Sequence, residues 1–194
     1  VVVPATQTCC GQPAFNSGDR ATARELARKV LREFDGCDYI VVPSGSCGGM
    51  IRAHYPELLA DSAEDARLLT RVSERTLELT DFLVNVLGIE KIPGAKLNGV
   101  ATYHDSCAAL RECNIKEEPR KLLRNVEGLQ LVEMEETDQC CGFGGTFAVK
   151  FEAISVGMAE QKLAHAKAVN PDYLISTDSS CLLQYKSVID KQGI

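Results

Sequence analysis

Hydrophobic residues along this chain follow two alternating patterns, which predict strands and helices in turn. Apolar runs of strand length lie at 39–42, 99–103, 129–133 and 173–175. Between them, apolar residues recur every three or four positions, which is the spacing of a helix that packs on one side. The clearest helix follows Asp19, a suitable N-cap, and ends at Gly36. This alternation predicts an α/β fold in which parallel strands carry helices on both faces.

Several local expectations follow from the same pattern. The β-branched run Val1–Val3 is typical of a short strand, and the continuous run Tyr39–Val42 predicts a strand that is buried on both faces. Ser62 and Asp65 have the spacing of a capping box and predict the start of a long helical stretch. A later helix is expected to bury an apolar stripe made of Ile154, Met158, Ala159, Leu163 and Ala166.

Cysteine motifs recur at matching places in the two halves of the chain. The motif Cys9-Cys10-Gly11 returns 131 residues later as Cys140-Cys141-Gly142. The strand and loop that lead to Cys47 return 134 residues later and lead to Cys181. In each half, one helix and one strand separate the cysteine pair from the later cysteine. The repetition predicts two related modules.

The repeat divides the chain into three parts. We assign residues 1–60 to a first module, 61–98 to a helical connector and 99–194 to a second module. The second module has an additional strand that leads to Cys107, 33 residues before its cysteine pair, and the first module lacks this strand and cysteine. The chain also begins without Met. We therefore expect a preceding segment to supply the missing strand and cysteine.

Composition and charge narrow the classes of protein that fit. Hydrophobic residues make up 45% and charged residues 25%, as in globular domains, and no apolar run has the length of a membrane span. A net charge of −6 without a basic cluster argues against a nucleic-acid partner. Nine cysteines among 194 residues are too sparse for a disulfide framework, and no signal peptide precedes them. We therefore expect a cytoplasmic protein.

Four cysteines of the second module are expected to meet at one edge of its sheet. The loops after parallel strands emerge together, and these loops carry Cys107, Cys140, Cys141 and Cys181. Four thiolates match the usual ligand count of an iron–sulfur cluster, whereas a zinc knuckle takes cysteines two to four residues apart. We favour a [4Fe-4S]-type cluster, with zinc as the alternative if the protein is purified in air.

Residues beside these cysteines are candidates to support the site. Gly142, Gly144 and Gly145 would let the backbone approach a cluster closely. His104 and Asp105 precede the first cysteine of the module, and we interpret them as loop or capping residues, with a proton relay as the alternative.

Two further cysteines fall outside the repeat. Cys37 aligns with Pro171, and Cys113 has no partner, so we interpret both as small buried hydrophobic residues. The chain carries no G-x-G-x-x-G fingerprint for flavin or nicotinamide, so hydride chemistry is expected to come from a partner protein.

Three motifs resemble the CCG-domain (cysteine-rich domain) family. They are QTCCGQP at 7–13, YHDSC at 103–107 and CCGFGGTF at 140–147. The resemblance covers essentially the whole chain and is strongest to members that serve lactate utilisation. The glycolate oxidase iron–sulfur subunit and the cysteine-rich component of heterodisulfide reductase are related members. The resemblance implies two CCG modules, the first with ligands Cys9, Cys10 and Cys47 and the second with the four cysteines named above.

The resemblance also implies a role. It implies an iron–sulfur electron-transfer subunit of a cytoplasmic complex in which companion lactate-utilisation proteins oxidise L-lactate, a small 2-hydroxy acid, to pyruvate. The alternatives are a zinc-stabilised scaffold or assembly protein, the iron–sulfur subunit of a glycolate oxidase, and, more weakly, a dithiol oxidoreductase. The chain departs from the family pattern at Ser44 and Asp178, where the heterodisulfide reductase component has the first cysteine of a Cys-x-x-Cys pair. It also has Ala108 where the family commonly has histidine.

Overall fold

Two parallel β-sheets organise the chain in this computed structural model, which describes residues 1–60 and 62–193. The first sheet pairs β1 (Ile40–Val42) with β2 (Thr76–Glu78). In the second sheet β3 (Lys96–Tyr103) lies between β4 (Glu127–Leu131) and β5 (Tyr173–Ile175). All of these pairings are parallel, which confirms the expected α/β class. The segment expected to be a connector thus contributes β2 to the first sheet.

The first sheet is accompanied by a series of mostly short helices. Their bounds are α1 (Gln12–Ser17), α2 (Arg20–Phe34), α3 (Gly45–Gly49), α4 (Tyr55–Leu58), α5 (Ala63–Arg75) and α6 (Leu79–Asp81). Two π-helical turns continue these helices, at Met50–His54 and at Phe82–Val86. The helix expected after Asp19 is α2, and the carboxylate of Asp19 accepts a hydrogen bond from the Thr22 N–H at 3.1 Å.

The core of the first sheet is built from the apolar face of α2. Ala23, Ala27 and Leu31 are fully buried there and pack with Ile40 and Tyr55.

The expected capping at the start of α5 is present, because Ser62 Oγ accepts a hydrogen bond from the Asp65 N–H at 3.2 Å. The Asp65 side chain instead pairs with Arg28 of α2 at 2.8 Å and so joins the two helices.

Five helices surround the second sheet. They are α7 (Cys107–Glu112), α8 (Glu117–Arg124), α9 (Thr146–Lys150), α10 (Glu152–Ala168) and α11 (Ser179–Gln192). A second core forms where Ala159 and Leu163 of α10 meet Tyr185 and Val188 of α11, and Cys141 belongs to it. Of the described helices, none combines the length and the apolar character needed to cross a membrane.

Close helix packing brings the two halves together. The helix α3 lies on α7, and a Cβ atom added at Gly45 would come within 2.5 Å of the Ala109 Cβ. In addition, Thr146 Oγ1 donates a hydrogen bond to the Asn16 carbonyl at 3.3 Å, which joins α9 to α1. These contacts place the cysteine loops of the two halves side by side.

Three local expectations are wrong. Val1–Val3 forms no strand and is exposed, because no described strand pairs with it. The strand β1 is not buried on both faces, since Val41 is 37% exposed in a sheet of only two strands. In α10, Ile154 is 58% exposed, whereas Ser155 and Lys162 are buried. The buried face of α10 is polar at these positions because it binds the loops that carry the cysteines.

Candidate metal centre

The four cysteines of the second module lie together at the carboxyl edge of its sheet. The Cys141 and Cys181 sulfur atoms are 3.0 Å apart. The Cys140 side chain interacts with those of Cys107 and Cys141. The four cysteine side chains therefore form a continuous chain of contacts, although the residues come from three separate segments of the chain. Cys107 is exposed, so the group opens to solvent at that end.

Helix caps and a close backbone approach hold these cysteines in place. Cys107 is the first residue of α7, where Ser106 Oγ accepts a hydrogen bond from the Ala109 N–H at 3.2 Å. Gly142 has φ of 83°, and a Cβ atom there would lie 2.4 Å from the carbonyl oxygen of Ser155. Only glycine fits this contact. The Ser155 hydroxyl also donates to the Gly142 carbonyl at 2.7 Å, which fixes the loop to α10.

The repeat extends to this local geometry. Gly11 follows the cysteine pair of the first half and has φ of 89°, close to the value at Gly142. An added Cβ atom at Gly11 would lie 3.3 Å from the Ala23 carbonyl oxygen of α2. In both halves, the glycine after the pair lets the loop turn against the following long helix.

Proximity and burial oppose the ionisation of Cys107 and Cys141. A hydrogen bond to Cys140 and burial raise the pKa of Cys107, and the same two effects, with Cys181, raise the pKa of Cys141. Interactions with the Cys107 and Cys141 side chains lower the pKa of Cys140. Ionisation is therefore favoured at Cys140 over Cys107 and Cys141. A bound cation would allow the other thiols to ionise as well, because metals bind thiolates rather than thiols and their positive charge offsets the added negative charge.

Two buried side chains beside the cysteines have polar atoms without a hydrogen-bond partner. His104 is fully buried at the end of β3, and neither ring nitrogen has a partner among the residues that the structure describes. A ring nitrogen of His104 and the sulfur atoms of Cys141 and Cys181 all lie within 4.8 Å of one another. The Tyr185 hydroxyl is buried and unpartnered in the same region. Burial, with a smaller effect of Lys162, lowers the pKa of His104 to about 4.

Buried ionic groups support the loop that holds His104. The Arg120 guanidinium binds both carboxylate oxygens of Asp105, at 2.7 and 2.8 Å, and also contacts Glu133 at 2.8 Å. On the other side, the fully buried Lys162 donates a hydrogen bond to the carbonyl of Glu136. The sequence did not point to Arg120 or Lys162, because each lies in a helix whose charged residues are typical of a solvent-facing surface.

The cysteines of the first half form a smaller group. The sulfur atoms of Cys10 and Cys47 are 3.5 Å apart, and the exposed Cys9 is close enough to influence both Cys10 and Tyr55 electrostatically. The Tyr55 hydroxyl donates a hydrogen bond to the Cys10 carbonyl at 2.7 Å. The Cys10 thiol lowers the pKa of Cys47 to about 7. This group has three thiols where the second module has four.

The remaining predicted residues lie around or away from these groups. Gly144 and Gly145 have positive φ values of 52° and 60° in the loop after Cys141, and that loop leads into α9. Cys37 packs against the core of the first sheet. Cys113 lies between α3 and α7, with its sulfur 3.7 Å from the carbonyl of Gly45. Neither of these two cysteines joins a group of thiols.

A repeated parallel-sheet unit with thiols gathered at its carboxyl edge defines a cysteine-rich domain with a candidate metal or cluster site. Residues 1–52 and 101–186 match the cysteine-rich domain termed CCG. The chain belongs to this family, which confirms the resemblance found in the motifs.

Several curated relatives of the chain are named as lactate utilization proteins. The chain is 46% identical over 190 residues to "Lactate utilization protein A" of Geobacillus sp. (strain WCH70). The matched region covers 98% of the chain and 79% of that protein. The protein of the same name from Geobacillus thermodenitrificans (strain NG80-2) is also 46% identical, with the same coverage. "Lactate utilization protein A 2" of Bacillus cereus (strain Q1) is 46% identical over 180 residues, which covers 93% of the chain and 74% of that protein.

Proposed function

We propose that this chain is an iron–sulfur electron-transfer subunit that acts with companion lactate-utilisation proteins in the cytoplasm to oxidise L-lactate to pyruvate. The observation that carries the proposal is the convergence of Cys107, Cys140, Cys141 and Cys181 at one edge of a parallel sheet. The names of the curated relatives support lactate as the substrate of the pathway.

The donor set suits an iron–sulfur cluster. Sulfur ligands select iron–sulfur clusters, zinc or copper(I), and a neighbouring pair such as Cys140 and Cys141 can reach two metal atoms of one cluster. The Gly142 N–H donates a hydrogen bond to the Cys140 sulfur at 3.4 Å, and this contact would stabilise negative charge on that ligand. A bound [4Fe-4S]-type cluster would supply one-electron transfer.

The protein around the thiols separates a protected side from an open side. Cys141 and Cys181 are buried against α10 and α11 and are therefore kept from water. Cys107 is exposed at the opposite end of the group. We propose that electrons enter or leave through the side that Cys107 occupies, since this side is accessible to a partner protein.

The two-electron step is assigned to the companion proteins. Lactate oxidation removes two electrons, whereas a cluster ordinarily moves one at a time, and the sequence has no flavin or nicotinamide fingerprint. The chain would then receive electrons that a partner has removed from the substrate. The thiols of Cys9, Cys10 and Cys47 are a second candidate metal site by the same reasoning.

Anaerobic purification tests the proposal. We expect iron and acid-labile sulfide in near-equal amounts, together with an EPR signal after reduction by dithionite. When the companion proteins and L-lactate are added to the oxidised protein, we expect the same signal to appear. Robust lactate oxidation by the isolated chain with an artificial electron acceptor would contradict the division of labour.

One observation favours a zinc-stabilised scaffold as the second candidate. His104, Cys141 and Cys181 place three donor atoms within 4.8 Å of one another, which is compact enough for a single ion. Stoichiometric zinc without sulfide in the anaerobically prepared protein would favour this alternative and would contradict electron transfer.

A further inference from the structure

His104 lacks the partners that a buried histidine normally has. Its side chain is fully buried, and both ring nitrogens lack a hydrogen bond among the residues that the structure describes. Buried polar atoms are nearly always paired, so an unpartnered imidazole needs an explanation. The other two histidines differ, since His54 contacts Glu112 at 3.2 Å and His165 contacts Glu135 at 3.8 Å, and both are partly exposed.

The polar groups around His104 are engaged elsewhere. Asp105 is held by both terminal nitrogens of Arg120, and Lys162 donates to the carbonyl of Glu136. The Tyr185 ring stands edge-on to the imidazole, with 5.3 Å between the ring centroids. Asp178, the acidic residue that caps α11, accepts hydrogen bonds from the Ser46 and Ser180 backbone N–H groups. Apart from the Tyr185 hydroxyl, which is also unpartnered, the groups placed to meet the imidazole are the sulfur atoms of the cysteines.

The sulfur atoms nearest to His104 belong to the candidate metal site. One ring nitrogen and the Cys141 and Cys181 sulfur atoms lie within 4.8 Å of one another, and all three side chains are buried. The backbone fixes this position, because the His104 N–H donates to the Ile175 carbonyl at 2.8 Å and so keeps the end of β3 beside β5. The His104 ring nitrogen is thus close enough to the two sulfur atoms for all three to bind one metal atom.

We propose that His104 is a direct ligand of the metal centre in the second module and binds one metal atom through a ring nitrogen. The centre then has mixed cysteine and histidine ligation. The inference rests on the proposed metal site and deepens it. Histidine in place of a cysteine raises the reduction potential of an iron–sulfur centre, so a cysteine at position 104 should make this centre harder to reduce.

Isotope labelling with EPR-based nuclear spectroscopy tests the proposal. The chain has only three histidines, so protein grown with ¹⁵N-histidine gives few signals. In the anaerobically prepared, reduced protein we expect a strongly coupled ¹⁵N nucleus. His104→Gln should abolish that coupling, and His165→Gln, the matched control, should retain it. His104→Cys should keep the iron, lose the coupling and shift the reduction potential to a more negative value.

Each result decides the assignment. An iron-loaded wild-type protein without a strongly coupled nitrogen, or a coupling that persists in His104→Gln, would overturn it while leaving the proposed electron transfer intact. If His104→Gln does not fold, the wild type and His104→Cys decide the question. If the protein holds no iron, the proposed function fails separately, and ¹¹³Cd²⁺ becomes the probe. A one-bond ¹¹³Cd–¹⁵N coupling at His104 would then support ligation, and its absence would refute it.

Discussion

The carboxylate of Asp178 accepts a hydrogen bond from the backbone N–H of Ser46, with 3.0 Å between Oδ2 and the nitrogen. The two residues are 132 positions apart and belong to different modules. Asp178 caps the helix that carries Cys181, and Ser46 directly precedes Cys47. One buried carboxylate therefore joins the two groups of thiols. Its charge also opposes ionisation of Cys47, against the larger effect of the Cys10 thiol.

We expect Asp178→Ala to destabilise the metal-free protein by about 2–3 kcal/mol, because it removes a helix cap and a hydrogen bond to a charged acceptor. The measurement is urea denaturation under reducing conditions. Asp190→Ala is the control. Asp190 pairs with Lys186 on the exposed side of the same helix, and its loss should cost less than about 1 kcal/mol. Equal losses in the two variants would show that the contact with Ser46 contributes little.

Substitution of the grouped cysteines should lower the metal content selectively. We expect Cys141→Ser and Cys181→Ser to reduce bound iron and its visible absorbance, because each removes a thiol from the second module. Cys37→Ala and Cys113→Ala should retain both, since these residues pack away from the thiol groups. Iron and sulfide per chain, measured in all four variants, provide the comparison. A similar loss of iron in all four would refute the assignment of the ligands.

The pattern of the sequence predicts those parts of the fold that depend on neighbouring residues. The strand at 173–175 has the same bounds in the structure, and the helix after Asp19 begins where its cap predicts. The position of the cysteines at the carboxyl ends of strands follows from the same local order, because parallel strands align their loops.

Long-range contacts explain what the pattern does not predict. Arg120 and Lys162 are charged residues on helices, and only the approach of distant loops shows that each is buried. In α10, Ser155 replaces Ile154 on the buried face because its hydroxyl binds the Gly142 carbonyl. No periodicity in the sequence reports such contacts, since both partners are polar and far apart along the chain.

The buried ion pair beside the site gives a third prediction. Arg120→Met would leave the Asp105 carboxylate buried without its bidentate partner, and we expect a loss of about 3–5 kcal/mol in the free energy of unfolding. Arg124→Met is the matched control, because Arg124 forms an exposed pair with Glu117 at 3.4 Å. It should cost less than about 1 kcal/mol in the same urea titration. A small effect of Arg120→Met would mean that water or another group stabilises the Asp105 carboxylate in place of Arg120.

The loop after the second cysteine pair gives a fourth prediction. Gly142→Ala places a Cβ atom 2.4 Å from the Ser155 carbonyl oxygen at a residue with positive φ, and we expect a loss of about 1–3 kcal/mol together with weaker metal binding. Gly157→Ala is the control, because it lies in α10 with no atom within 4 Å of the added carbon. Thermal denaturation should show a gain of up to about 1 kcal/mol for this helical position. Tolerance of alanine at both positions would contradict the proposed close approach.

The pH dependence of stability depends on Glu78 at the end of β2. This side chain is 1% exposed, and burial raises its pKa above the usual 4.5, although its carboxylate accepts a hydrogen bond from the Thr80 N–H at 2.7 Å. Well below pH 4.5 the group is protonated in both the folded and the unfolded chain. As the pH rises from there through the raised pKa, the unfolded chain releases its proton first, so folding becomes less favourable.

Glu78→Gln should therefore gain stability relative to the wild type as the pH rises through this interval. Glutamine keeps an acceptor for the Thr80 N–H but has no charge to desolvate. Urea midpoints of the metal-free protein between pH 4.5 and pH 7 are the measurement, and the difference between variant and wild type should grow and then level off. Glu74→Gln, an exposed substitution four residues earlier, should stay within about 0.5 kcal/mol of the wild type. A difference that shrinks with rising pH would mean that the buried Glu78 carboxylate is better stabilised when it is charged, by contacts other than Thr80.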